Sequence, residues 1–135
     1  MIRRWNPDTV AAPLGAYSHL AHVPADHELV VMAGQIGVLP EGGLAGEDVT
    51  AQTEAVYANI ERLLAAAGAG PRQLVKVFSM VASTEHLPGY RAAMREVFSR
   101  WFPDGDWPTH SMIVVAALAK PELLVEVEAL AAVPR

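Results

Sequence analysis

Two spacings of apolar residues alternate along this chain, and that alternation limits its fold more than any other feature. Short runs with no room for a full helix read as strands. They are Leu29 to Met32, ending at Gly34, then Leu74 to Ala82, Ser111 to Leu118 and Leu124 to Ala131. Between them, two longer stretches repeat apolar residues every three or four positions, the period of a helix with one buried face.

The first helix is expected to begin near Ala51, capped by Asp48 or Thr50. Val56, Ile60, Leu63, Leu64 and Ala67 form its stripe, and Gln52, Asn59 and Arg62 its wet face. Gly68 suits the left-handed position after the last turn. The second helix is expected to begin near Ser83 or Thr84, with Pro88 tolerated near its first turn. Leu87, Tyr90, Met94, Val97, Phe98 and Trp101 face inward, and Pro103-Asp104-Gly105 stops it.

Strands, helix, strand, helix and two strands make an α+β two-layer sandwich, with both helices on one face of the sheet. At 135 residues with no interdomain linker, residues 1–135 read as a single domain. The other sheet face also needs cover. Met32, Val77, Val81, Ile113, Val115 and Val125 are too apolar to stand in water, so the pattern predicts a homo-oligomer joined through that face. Dimer and trimer both fit the pattern.

Composition removes several classes of chemistry. The chain has no cysteine, which excludes disulfides, thiolate metal sites and a cysteine nucleophile. The net charge of −5, with no basic cluster beyond Arg3-Arg4, disfavours nucleic acid as a partner. No run is long enough to span a bilayer, and MIRRWNPDTV lacks the apolar segment of a secretory signal. The expected location is the cytoplasm.

There is no Gly-rich phosphate loop and no Gly-x-Ser-x-Gly elbow. The histidines (His19, His22, His27, His86 and His110) lack the helical spacing of a metal site, and none is expected. Polar groups beside strands remain. In WPTHSMIVV, His110 opens an apolar strand. Glu126 and Glu128 share a strand face with Leu124 and Leu130. A carboxylate held in such surroundings can exchange a proton. Tyr17-Ser18 precedes the strands, and Gly34-Gln35 closes the run that begins at Leu29.

The order of these pieces resembles the RidA/YjgF family across nearly the whole chain. The matching pieces are Gly15-Ala16-Tyr17-Ser18, Ala33-Gly34-Gln35-Ile36, Gln52-Thr53, Asn59-Ile60, Ala66-Ala67-Gly68, Leu74-Val75-Lys76-Val77 and Val125-Glu126-Val127-Glu128-Ala129. The resemblance implies a chorismate-mutase-like fold with a mixed β-sheet and a homotrimer with ligand clefts between subunits. It implies enamine/imine deaminase activity without a cofactor, giving a keto acid and ammonia. By position, Tyr17, Gly34, the Met112 amide and Glu126 fall at the family's site. Glu126 takes the place of a glutamate that positions or activates water.

The family's carboxylate-clamping arginine is replaced here by His110. Ala33 replaces a common serine, Ala16 a proline, and Arg91 stands where asparagine is common. Arginine offers a permanent charge and a two-pronged fork. Histidine offers one bond and, at a reference pKa near ~6.5, only partial charge at neutral pH. A hydrogen bond to a charged group contributes about 1.5–3 kcal/mol, so losing one predicts carboxylate binding weaker by roughly one to two powers of ten. Either Arg91 supplies the missing cation or the ligand differs, with His110 and Glu126 acting as a proton-transfer couple. A trimer that binds a small ligand without turning it over is the alternative.

Overall fold

The computed structural model describes residues 1–135. A short antiparallel pair, β1 (Arg3–Trp5) and β2 (Leu20–His22), precedes the main sheet. The main strands are β3 (His27–Ile36), β4 (Leu74–Val81), β5 (Thr109–Val114) and β6 (Val125–Pro134). They lie in the order β3-β6-β4-β5; β4 and β5 run parallel and the other neighbours antiparallel. Helices α1 (Val49–Ala66) and α2 (Leu87–Trp101) pack on one face, so the expected mixed-sheet α+β sandwich is the observed fold. No helix is long and apolar enough to cross a membrane.

Local chemistry explains the helix ends. Asp48 caps α1, its carboxylate accepting from the Ala51 N–H at 2.8 Å. Gly68 takes φ +70°, the left-handed turn that ends the helix. A 3-10 turn over Thr84–His86, capped by Ser83, leads into α2. Inside, Phe98 of α2 stacks on Trp101 and Trp107 and meets Tyr57 of α1 edge-on at 5.6 Å. The two tryptophans are packing groups.

Three expectations need correction. First, β3 runs well past Met32, so Gly34 lies within the strand, at a register shift between Met32 and Gln35. Its φ is not left-handed. A Cβ there would overlap the Glu126 carboxylate, so close approach is what requires glycine.

Second, Gln52 is fully buried. Its amide donates to the Gly46 and Glu122 carbonyls at 3.0 and 2.9 Å and accepts from the Leu124 N–H at 2.9 Å. The loops that follow β3 and precede β6 meet at one end of the sheet and close over what looked like a wet helix face, and Gln52 satisfies their backbone groups.

Third, Met32, Val77, Val81 and Val125 lie under the helices and form the core. The uncovered face carries Val31 and Ile113, which are 69% and 45% exposed, with Phe78, Met80 and Leu130 half-buried. Lys76, Glu126 and Glu128 stand among them, and Val31, Lys76, Phe78, Glu128 and Leu130 line a shallow hollow of about 290 Å³. An apolar face therefore remains unpartnered; Ile113 lies on it as expected, but the rest of it is built from the opposite residues of the same strands.

A candidate ligand cleft beside β5

The strand β5 is a free edge of the sheet. The segment before β2 is tied to its start: Ser18 N–H donates to Pro108 O at 3.1 Å, and Ser18 Oγ to Trp107 O at 2.7 Å. Between that segment, β5 and α2 lies a cleft of about 500 Å³. Tyr17, Tyr90, Arg91, Arg95, His110 and Met112 line it, and no acidic side chain does. Four residues expected at the site, Tyr17, Arg91, His110 and Met112, are thus brought together. Tyr17 is held by its hydroxyl, which accepts from the Leu14 N–H at 3.3 Å.

The backbone N–H of Met112 is directed by the strand pairing. Val115 N–H donates to Val81 O at 2.9 Å. Alternate N–H groups of a strand point the same way, so the Met112 N–H is turned to the free edge.

His110 is held from inside. Its register partner is Val77, so both side chains face the helices. The ring lies 5.7 Å from Phe98, and Nε2 is 2.8 Å from Ser79 Oγ. Burial lowers its pKa from 6.5 to about 4, and the Lys76 ammonium adds to that shift. The expected partial charge at neutral pH is thus corrected: the ring is neutral, because bringing a cation into this apolar wall costs too much.

Gly34 and Glu126 are elsewhere. Glu126 pairs in register with Met80 and Ile36, and its carboxylate folds over Gly34 on the uncovered face. His110 faces the helices, so within one chain it makes no proton-transfer couple with Glu126. A site using both needs Glu126 from a second copy.

Sequence reasoning missed Arg95, Ser79 and Tyr90. Arg95 lies four residues after Arg91, hence on the same face of α2, and neither arginine is in an ion pair. Ser79 sits between Val77 and Val81 on the buried side of β4; a lone hydroxyl in that row was a readable signal. A second cavity of about 410 Å³ surrounds Arg4 and Phe102. Its guanidinium is already occupied by Asp106 Oδ2 and by the Arg72 and Leu74 carbonyls.

Comparison with known proteins agrees with this architecture. The family model described as Endoribonuclease L-PSP matches residues 9–133. A RutC family protein of Pyrococcus abyssi is 33% identical over 120 residues, 88% of this chain and 87% of its own. The 2-iminobutanoate/2-iminopropanoate deaminase of Salmonella typhimurium is 30% identical over 103 residues, 76% of this chain and 78% of its own. Among solved structures, the Rid family protein YyfB of Yersinia pestis, of unknown function, superposes with a TM-score of 0.84 at 32% identity, covering 98% of each chain. Fold, motif order and relatives agree, and the chain belongs to the Endoribonuclease L-PSP family, the RidA/YjgF/UK114 group.

Proposed function

We propose that this protein is a cofactor-free deaminase-type enzyme acting on a small imine, enamine or related metabolite in the β5–α2 cleft. The observation that carries the reading is the gathering of Tyr17, Arg91, His110 and Met112, with Arg95, around one cavity free of acidic groups. The cation that the family places on the strand is supplied by α2. Arg91 and Arg95 attract and hold an anionic group. The Met112 amide and the neutral His110 orient the reacting end, and Tyr17 closes the side. Relatives that include an imine deaminase support this reading.

The protein works as a homotrimer joined through the uncovered sheet face, in the cytoplasm. The exposed Val31 and Ile113, flanked by Phe78, Met80 and Leu130, favour such an assembly. The assembly also brings Glu126 of one copy towards the cleft of another, where it positions water. One observation favours a second reading, a small-ligand-binding trimer without turnover: a single chain holds no acid–base pair in its cleft.

Keto-acid release from imines generated in place from serine, threonine and a bulkier amino acid tests these readings, with wild type, Arg91→Ala, Glu126→Gln and His110→Arg compared to the uncatalysed rate. The enzyme reading expects acceleration by wild type, a loss of about tenfold or more in Arg91→Ala, as for one charged hydrogen bond, and a larger loss in Glu126→Gln. No acceleration by wild type, with saturable binding of a small carboxylate, assigns the binding reading. Activity only in His110→Arg shows that the strand histidine redirects the cleft to another ligand.

A further inference from the structure

Behind His110 runs an unbroken chain of polar groups through the core. Tyr57 OH of α1 lies 2.8 Å from Tyr90 OH of α2, which lies 2.5 Å from Ser79 Oγ of β4, which lies 2.8 Å from His110 Nε2. Tyr57, Tyr90 and Ser79 are 1%, 0% and 0% exposed, so water does not reach their hydroxyls. Each hydroxyl hydrogen must find its acceptor within this chain.

There are three links and three hydroxyl hydrogens. If every hydroxyl donates towards β5, Tyr57 gives to Tyr90, Tyr90 to Ser79 and Ser79 to Nε2, and nothing is left unpaired. In the reverse direction Nε2–H fills the last link. Three hydroxyl hydrogens then share two links, and the Tyr57 hydrogen is buried without an acceptor. Such an unpaired donor favours the first arrangement by about tenfold or more.

We infer that Tyr57, Tyr90 and Ser79 are positioning residues that fix His110 as the tautomer protonated at Nδ1, so that its one nitrogen without a protein partner offers a hydrogen-bond donor. A neutral ring held this way accepts no proton at that nitrogen. It recognises an acceptor, a carbonyl or carboxylate oxygen, through one hydrogen bond and without a charge. The inference deepens the proposed reading of the cleft, and its main test does not depend on turnover.

The test is nitrogen NMR of the full-length protein labelled in its histidine rings at pH 7, with His110 assigned by its absence in His110→Gln. Wild type is expected to show a protonated Nδ1 and an unprotonated Nε2. Tyr57→Phe keeps that tautomer, because two hydrogens still fill two links in the same direction. Ser79→Ala releases it to a mixture. A protonated Nε2 in wild type, or an unchanged tautomer in Ser79→Ala, overturns the inference. Titration with pyruvate is expected to move Nδ1 more than Nε2. Movement at Nε2 alone, or none, overturns the acceptor-recognising role, whereas loss of deaminase activity with the Nδ1 tautomer intact counts against the enzyme reading alone.

Discussion

Acidification is expected to destabilise this protein through His110 before most of its carboxylates titrate. The folded ring has its pKa lowered from 6.5 to about 4, first by burial and then by the Lys76 charge. Lys76, Arg91 and Arg95 are the charged groups nearby or sharing its cleft, and all are cationic, so none offsets the shift. In the unfolded chain the ring titrates near its ordinary value. Between pH 6.5 and 4 the unfolded state therefore binds one more proton than the folded state. Stability is fully present above pH 6.5 and is lost as pH falls towards 4. At about 1.4 kcal/mol for each tenfold in proton affinity, the shift corresponds to about 3 kcal/mol. Urea unfolding of wild type and His110→Gln at fixed protein concentration, from pH 7.5 to 4, isolates this effect, because every other titration cancels in the difference. Wild type is expected to lose about 3 kcal/mol relative to the variant over that range. Parallel curves would refute the burial argument, and with it the neutral ring at the cleft.

Three further outcomes follow from packing. Gly34→Ala places a methyl where the Glu126 carboxylate lies; a loss of about 1–3 kcal/mol is expected, largely relieved in Gly34→Ala/Glu126→Ala, and additive double-mutant energies would count against the contact. Gln52→Leu leaves two carbonyls and one N–H without their partner, so a loss of at least about 2 kcal/mol is expected in denaturant melts. Asp48→Ala removes the cap of α1 and is expected to cost about 1 kcal/mol, with Asp48→Asn restoring most of it.

The elements were legible because their signals are local. A stripe every three or four residues, an aspartate or threonine before it and a glycine after it placed α1 to within about two residues of its observed Val49–Ala66. The same locality explains the misreadings. Alternation along β4 separates Val77, Ser79 and Val81 from Lys76, Phe78 and Met80, but it does not say which row the helices cover. That choice put Met32, Val77, Val81 and Val125 on the wrong face. Gln52 was misread because its partners, Gly46 and Glu122, come from loops up to seventy residues away in sequence.

The site divides along the same line. Its membership was partly readable: Tyr17, Arg91, His110 and Met112 follow from motif order, and Arg95 and Ser79 carried spacing signals. Their grouping was not readable. His110 and Glu126 belong to strands separated by β4, and the side on which each points depends on the register among three strands, which is set by contacts between distant segments. The sequence by itself determined the types and order of the two helices and the four main-sheet strands, and the family, because these rest on short-range pattern. Only the tertiary structure decided that His110 is neutral, that it ends a buried hydroxyl chain and that Glu126 lies across the sheet from it. Burial, dielectric surroundings and hydrogen-bond direction are properties of the packed chain and exist in no single segment of it.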